Sequence, residues 1–283
     1  MWRVIGLLGT GAWSRVYQAT RTEPCLVCDR CPVDVAVKVV PLTPLPPTLR
    51  AAYTGSTEGS AEGSTDVAPA CHPGLVRTFH RFVGTDYRQR GSGPVAVLIM
   101  ERALRSVSAA LAAGISLADG PLLGTVCDAM AALHRAGWLH GNLTCDNVLL
   151  MADGTVRIAD LDHARPIRGG RACVPAIGSA DYLPPEWWRS SLGESGVYIG
   201  QEHDIWAYGI LAHRVLTGGR HPFAGDRASR RSAAIRRYGR GRAYMRLAPA
   251  IPPPWRAIIA DCLQADPVER AAITFAELRG RLP

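Results

Sequence analysis

The strongest constraint on the fold is a change in hydrophobic periodicity near residue 101. Before that point, apolar residues come in short runs or alternate with polar ones, at 1–20, 33–40, 75–83 and 94–100. This pattern predicts strands. After it, apolar residues recur at steps of three and four, which is typical of amphipathic helices. The sequence therefore predicts a small sheet-rich half followed by a larger helical half.

Within the second half, helices are predicted around 203–217, 255–264 and 274–281. A hairpin is predicted around Asp153-Gly154, because a turn dipeptide lies between two apolar runs. The stretch 41–70 is rich in Pro, Gly, Ser and Thr, which makes it a poor helix former.

The composition fits an intracellular protein. The chain has 283 residues, of which 47% are hydrophobic, enough for substantial cores. We find no apolar run long enough to cross a membrane, and we expect no secretory signal at the start. Eight unevenly spaced cysteines are expected to be mostly reduced thiols, in the cytoplasm or the nucleus.

Lysine usage singles out one position. Among 32 basic side chains only Lys38 is a lysine, and a coding bias toward GC-rich codons would explain the many arginines and the basic pI. A compact ammonium on a flexible stem is not interchangeable with a planar guanidinium. Lys38 is therefore a candidate binding residue.

Seven short motifs follow one another along the chain. They are GTGAWSRV at 9–16, VAVK at 35–38, HGNLTCDN at 140–147, DLD at 160–162, PPE at 184–186, DIWAYG at 204–209 and Arg270 in DPVER. Their order and spacing resemble those of the protein kinase superfamily. Each motif alone is a moderate signal, whereas seven in order make the resemblance specific.

The resemblance implies a bilobal α+β fold. A small antiparallel β-sheet N-lobe with one helix would occupy residues 1–100, a hinge 101–103, and a larger, mainly α-helical C-lobe 104–283. It also implies ATP and Mg²⁺ as cofactors.

Family roles can be carried onto matching positions. Gly9 and Gly11 would cover the phosphates, and Lys38 would pair with them and with a helix Glu. Asn147 and Asp160 would hold the metal, since oxygen ligands suit a hard cation.

The adenine site follows in the same way. Met100 would be the gatekeeper residue, and the backbone of Glu101 and Ala103 would meet the adenine edge. The residues expected to sandwich the adenine faces are Val16, Ala36 and Leu149.

The catalytic loop departs from the family pattern. Asn142 replaces the Asp that accepts the substrate proton, and an amide cannot take that proton. Losing a general base typically removes about 10²–10⁴-fold of rate. Thr144 stands where Ser/Thr kinases often carry Lys. Asp162 replaces the Gly of D-F-G, and it tolerates unusual backbone angles better than most residues, though less well than Gly.

Three functions stay open. The first is a pseudokinase that binds ATP and acts as a scaffold or allosteric partner. The second is a slow Ser/Thr protein kinase. The third is a small-molecule phosphotransferase of the aminoglycoside type, which His140-Gly141 fits but the PPE and DIWAYG motifs do not.

Two features have no settled assignment. The Glu partner of Lys38 is either Glu62 or Glu58. Cys25, Cys28 and Cys31 form C-x₂-C-x₂-C, which would bind zinc with a fourth ligand from Cys71 or His72, or would be a reduced loop.

Regulation and partners give two further expectations. Gly141 replaces the Arg that grips an activation-segment phosphate, and Ser179 is the only Ser or Thr between Asp160 and Glu186. We therefore expect no switch by phosphorylation of this segment. The arginine cluster at 227–246 is either a solvated face or a site for a protein substrate or partner of acidic character, with nucleic acid a weaker option.

Overall fold

The computed structural model describes residues 2–23, 32–45, 47–54, 72–85, 93–117, 119–176, 178–189 and 196–283. Several sequence predictions therefore lie outside the described residues, namely those on Cys25, Cys28, Cys31, Cys71, Glu58 and Glu62. The chain divides into two compact units. The first comprises Met1–Cys71 and Leu75–Leu104, and the second comprises His72–Gly74 and Arg105–Pro283.

The first unit is built on a five-stranded antiparallel sheet. Its strands are β1 (Trp2–Thr10), β2 (Arg15–Arg21), β3 (Asp34–Pro41), β4 (Thr78–Thr85) and β5 (Pro94–Glu101). They are ordered β1-β2-β3-β5-β4, with every neighbouring pair antiparallel. A core of Ala19, Val35, Val37 and Ile99 lies in this unit.

One helix, α1 (Pro47–Thr54), belongs to this unit. It lies within the stretch expected to be a poor helix, so that expectation is wrong for these eight residues. Leu49 and Tyr53 are buried one helical turn apart, which gives the helix an apolar stripe. Arg50 donates to the carbonyl oxygens of Leu42 (3.1 Å) and Leu45 (3.1 Å) and so fixes the preceding turn.

The second unit is mainly helical. Its helices are α2 (Val107–Ala112), α3 (Asp119–Arg135), α4 (Gln201–Leu216), α5 (Ala228–Tyr238), α6 (Pro253–Cys262), α7 (Pro267–Ala271) and α8 (Phe275–Arg281). Short strands complete it: β6 (Arg105–Ser106), β7 (Trp138–Leu139), β8 (Val148–Leu150), β9 (Val156–Ile158), β10 (Arg165–Pro166), β11 (Ala172–Val174) and β12 (Val197–Ile199). The predicted hairpin at Asp153-Gly154 joins β8 to β9.

The predicted architecture is confirmed: an antiparallel sheet unit with one helix precedes a larger helical unit. Helix α5 was missed because its exposed positions are arginines and only Ser232 and Ile235 are buried. Among the described helices, none combines the length and the apolarity that a membrane crossing requires.

Candidate functional site

The predicted site residues of the first unit share one face of its sheet. Lys38 lies opposite Val16 on β2 and opposite Leu98 on β5, and Ala36 lies opposite Met100. Since alternate residues of a strand point to the same side, these side chains line one face. Lys38 is only 7% exposed. Burial of an ammonium requires partners, and Lys38 does have one or more electrostatic contacts.

The glycine motif forms the turn between β1 and β2. Gly11 N–H donates to the Ser14 carbonyl oxygen (2.8 Å), which closes the turn. A Cβ at Gly11 would lie 2.9 Å from Ser14 Oγ, so a side chain there would make the Ser14 hydroxyl rotate away. Gly9 lies opposite Val16 and has no atom within 4 Å of a built Cβ. A backbone without side chains is thus presented on the sheet face that carries Lys38.

The predicted hinge is fixed by backbone contacts. Glu101 N–H donates to the Arg77 carbonyl oxygen (3.0 Å), and the Glu101 carboxylate accepts from Arg77 N–H (3.0 Å). Nearby, Arg102 pairs with Asp34 at 2.6 Å. These contacts hold Glu101 and its neighbours at the end of β5. Their contact with adenine stays a prediction.

In the second unit, one buried carboxylate anchors the backbone of the predicted catalytic loop, residues 140–147. Asp204, in the first turn of α4, accepts from the backbone N–H groups of His140 (2.9 Å, Oδ2) and Gly141 (2.9 Å, Oδ1). The ring Nε2 of His134 lies 2.9 Å from Oδ2. One side chain therefore orients two consecutive peptide groups of the loop.

The charge of Asp204 is stabilised in the interior. Burial alone would raise the pKa of Asp204, but the hydrogen bond from His134 and the positive potential of the neighbouring histidines lower it to about 2. A carboxylate bonded to several donors favours its ionised form. The loop is consequently anchored to a group that stays ionised down to strongly acidic pH.

Hydrogen bonds inside the loop bring its predicted residues together. His140 Nδ1 accepts from Asn142 N–H (3.2 Å), so Nε2 is the nitrogen that donates to the Ala159 carbonyl oxygen (3.2 Å). Asn147 donates through Nδ2 to the Asn142 carbonyl oxygen (2.8 Å), and its own carbonyl accepts from Ala159 N–H (2.8 Å). Coordination of a cation by the remaining Asn147 amide oxygen stays a prediction.

Few side chains of the loop reach its surface. Asn142 and Asn147 are half-buried and Asp146 is exposed, whereas the others between 140 and 147 are buried. Thr144 is among the buried ones, so a hydroxyl, not a cation, fills the interior at the position where a Lys is common. The functional groups that the loop presents at its surface are therefore two amides and one carboxylate.

Asp160 has a left-handed backbone, with φ 65° and ψ 58°. Among the described residues it is the only non-glycine with positive φ, which marks a constrained position. Asp162, where the sequence allowed for unusual backbone angles, does not have a positive φ. Asp162 lies in a short 3₁₀ turn, Leu161–His163, and the strained conformation falls on the predicted metal ligand itself. The predicted adenine residue Leu149 lies on β8, opposite Arg157.

The segment from Asp160 to Glu186 is held by strand pairing. β10 pairs with β7, and β11 pairs with β12. Side chains from β11, β12 and the following turn form one apolar core, made of Leu139, Ala172, Val174, Leu183, Trp187, Val197 and Ile199. These contacts pack β11, β12 and the turn between them into the interior of the second unit.

The predicted Glu186–Arg270 pair is confirmed. Arg270 is fully buried, and its guanidinium pairs with the Glu186 carboxylate and lies 5.2 Å from the Trp206 ring centroid. Burial raises the pKa of Glu186 and Arg270 opposes that rise. The pair is structural.

Sequence reasoning missed two supporting residues. Asp204 was recognised only as a motif position, although a carboxylate directly before the apolar residues of a helix signals a buried acceptor. Tyr182 accepts from Cys145 N–H (3.1 Å) and from Arg214 Nη1 (2.9 Å), and so ties the catalytic loop to the PPE segment. No local sequence signal links these three residues.

Comparison with known families agrees with this geometry. The family model described as "Protein kinase domain" matches residues 99–278, which is more than half of the chain.

Individual relatives match shorter stretches. The serine/threonine-protein kinase PknL of Mycobacterium tuberculosis is 30% identical over 161 residues, covering 55% of this chain and 37% of that protein. Rho-associated protein kinase let-502 of Caenorhabditis briggsae is 32% identical over 95 residues, and human Rho-associated protein kinase 1 is 33% identical over 100. Those matches cover 33% and 35% of this chain but only 8% and 7% of the relatives. The chain therefore spans less than half the length of these curated proteins.

Proposed function

The chain belongs to the protein kinase family, and from that premise we propose that it binds ATP with a divalent cation and acts mainly as a pseudokinase. Its role would be that of a scaffold or an allosteric partner for another protein. Kinase domains in general use ATP and a divalent metal, and the bilobal kinase fold provides for both.

The residues present suit this cofactor pair. Lys38 offers an ammonium on the same sheet face as the phosphate-covering glycines. Asn147 and Asp160 offer an amide oxygen and a carboxylate, the donor types that Mg²⁺ prefers. When bound, the metal would neutralise charge on the phosphates. The residues of this chain would orient it and ATP.

The pseudokinase proposal is supported mainly by one observation: an amide side chain, Asn142, stands at the position of the base in an ordered loop. The loop around it is fully hydrogen-bonded, from Asp204 behind it to Asn147 beside it. The amide nevertheless has no basic site for a hydroxyl proton. The proposed loss of activity therefore does not depend on a collapsed loop. The loop keeps its shape and lacks the base.

A slow Ser/Thr protein kinase is the second candidate. Phosphoryl transfer depends mostly on positioning and electrostatics, so a missing base lowers the rate without abolishing it. The left-handed Asp160 and the intact hydrogen bonds of Asn147 favour residual activity. The similarity to a mycobacterial serine/threonine-protein kinase points to hydroxyl side chains as acceptors.

The proposal includes regulation and location. The segment 160–186 is ordered by the β11–β12 pairing and its apolar core, so a phosphate on Ser179 would not be needed to order it. We place the protein inside the cell. Four described cysteines, at 127, 145, 173 and 262, are free thiols, and three of them are buried.

Transfer of label from radioactive ATP to a generic protein substrate, with Mg²⁺, tests the function. We expect wild-type protein to show little or no transfer, and Asn142→Asp to gain about 10²–10⁴-fold, the usual contribution of a general base. Asn142→Asp is nearly isosteric, so the loop should keep its fold. The matched control is Asn142→Asp combined with Lys38→Ala, which should lose the gain.

Binding is measured separately. Added ATP and Mg²⁺ should raise the melting temperature of wild-type protein, in proportion to RT ln(1 + [L]/Kd), and should not raise that of Lys38→Ala. Robust wild-type transfer that Lys38→Ala abolishes would replace the pseudokinase proposal by the active-kinase one. No melting shift with any nucleotide would remove both.

A further inference from the structure

Positive charge in the second unit is concentrated in one stretch of sequence. Residues 227–260 contain nine arginines and no Asp or Glu. The rest of 105–283 contains twelve arginines against sixteen Asp and Glu, so it is net acidic. A chain-wide preference for arginine codons predicts an even spread. The segregation therefore calls for a local explanation.

Helix α5 turns most of this charge toward the surface. Its inner face buries Ser232 and Ile235, and the exposed side carries Arg230, Arg236 and Arg237. The segment that follows, 239–246, adds the exposed arginines 240, 242 and 246. Tyr244 among them is 88% exposed. We call the exposed arginines of 230–246 the arginine surface.

Some guanidinium groups at the edges of this surface are already engaged. Arg231, on the inner side of α5, pairs with Asp181 at 2.7 Å, and Arg236 lies 5.1 Å from the ring centroid of Trp188. Arg230 contacts the exposed Asp226 at 3.3 Å. These contacts fix α5 against the 178–189 segment.

The remaining arginines have no acidic neighbour to neutralise them. In the part of the chain that the structure describes, no carboxylate forms an ion pair with Arg237, Arg240, Arg242 or Arg246. Like charges this close together repel one another, and the repulsion is relieved when an anionic partner binds. Binding of a polyanion to the arginine surface is therefore electrostatically favourable.

The arginine surface is continuous with the segment that holds Ser179. Arg189, at the end of that segment, donates to the Gly239 carbonyl oxygen, and Gly239 packs against Pro185. Asp181, two residues after Ser179, is held by Arg231. In the family resemblance this turn faces protein substrates. A molecule seated on α5 would therefore reach the place where a protein chain is expected.

We propose that the arginine surface binds an acidic segment of a partner protein. Guanidinium groups bind carboxylates through two parallel hydrogen bonds, which gives geometric specificity as well as charge attraction. The choice of a protein over a nucleic acid rests on the proposed function. The binding itself requires neither ATP nor the catalytic loop.

Fluorescence anisotropy with the whole chain tests this. The probe is a labelled 20-residue peptide of alternating Glu and Ser, measured without nucleotide at low and physiological salt. The test variant reverses three charges on the arginine surface, Arg237→Glu, Arg240→Glu and Arg242→Glu. The control variant reverses three exposed arginines elsewhere, Arg3→Glu, Arg105→Glu and Arg135→Glu, and so has the same net charge.

We expect the test variant to weaken peptide binding at least about tenfold, and the control variant less than about threefold, because exposed charges act over about one Debye length. Melting temperatures of both variants should stay near that of wild type. If either shifts, the Arg→Gln forms of the same positions replace them.

Two results would overturn the proposal. Equal weakening by both variants would mean that the peptide senses only net charge. Tighter binding of a single-stranded 20-nucleotide RNA than of the peptide, lost in the test variant, would assign the surface to nucleic acid. Since nucleotide is absent throughout, a failure here is distinct from a failure of ATP binding.

Discussion

The residues behind the catalytic loop and the residues on its surface have different characters. Asp204 behind it, and Arg270 against the same helix α4, are completely buried and satisfied by several hydrogen bonds. At the surface, Asn142 is half-buried, and within the described residues its side chain has no hydrogen-bond partner. The support has the residue types that the family resemblance predicts, whereas the reacting position does not.

This difference indicates which part of the site is costly to maintain. A buried carboxylate or guanidinium is expensive unless every bond to it is made, so such groups persist only where the shape they enforce is needed. An amide in place of a base costs the fold nothing. We infer that the loop's shape serves binding and presentation more than proton transfer.

The largest effect should come from breaking the support at Arg270. Arg270→Met removes the guanidinium that pairs with the half-buried Glu186 carboxylate, and it removes one donor from each of the carbonyl oxygens of Glu202 and Gln264. We expect a loss of about 3–5 kcal/mol in the free energy of unfolding, measured by urea denaturation.

The control is an ion pair at the surface. Arg281 and Asp261 pair at 2.6 Å with side chains 41% and 38% exposed, and Arg281→Met should cost about 0–1 kcal/mol. Adding Glu186→Gln to Arg270→Met should recover part of the loss. If Arg270→Met and Arg281→Met lowered the free energy of unfolding by similar amounts, the buried ion pair would not differ from the exposed one.

A second test uses pH. His203 is buried behind the loop and bonded to the Gly141 backbone, and burial lowers its pKa to about 4, against the opposing effects of Asp204 and that hydrogen bond. Well above pH 6.5 the ring is neutral in both the folded and the unfolded states. As the pH falls from 6.5 toward 4, only the unfolded chain takes up the proton, so stability is lost across that window.

The expected amplitude is about 3 kcal/mol, from the size of the shift and 1.36 kcal/mol per unit. His203→Gln keeps an N–H donor for Gly141 and cannot titrate, so its stability should fall less between pH 6.5 and 4. Urea unfolding at a series of pH values gives both curves. Asp204 contributes little in this window, because the stability from its depressed pKa of about 2 begins to fall near pH 5 and is lost mostly below pH 4. If the stability of wild type and of His203→Gln fell in parallel with pH, His203 would not be shielded from water in the folded protein.

How far the sequence predicted this fold depended on the range of each interaction. Strands β1 to β5 and the hairpin at Asp153-Gly154 were predictable because local alternation and turn chemistry define them. Helix α5 was not, since tertiary contacts to the 178–189 segment stabilise a sequence with little apolar periodicity. β11 and β12 escaped prediction because a two-stranded ladder of three residues each has no local signal.

The candidate site divides in the same way. Lys38, Asn147 and Asp160 were predictable from motif spacing, and the Glu186–Arg270 pair was confirmed. The left-handed backbone of Asp160 was not predicted, because conformation there depends on the surrounding loop. The buried hydrogen bonds of Asp204 join residues about 65 positions apart, which no local pattern reveals.

The smallest effect is expected at Gly141, where support and surface meet. Its N–H belongs to the Asp204 anchor, while its side-chain position is the one where the family carries Arg. Its φ is 73°, and a Cβ would lie 3.2 Å from the His163 carbonyl oxygen and 3.4 Å from Val174 Cγ1. Gly141→Ala should therefore cost about 1–2 kcal/mol for the left-handed backbone, with a further loss from the tight contact.

Gly137→Ala separates these two contributions. Gly137 has a similar φ of 79° but no atom within 4 Å of a built Cβ, so it should show the backbone cost alone. The difference in unfolding free energy between the two variants then measures the crowding at 141. Equal losses would mean that His163 and Val174 yield easily and that an Arg could be restored there. A larger loss at 141 would mean that the loop has closed around a glycine, and that support and surface have become a single structure incompatible with a phosphate-gripping side chain.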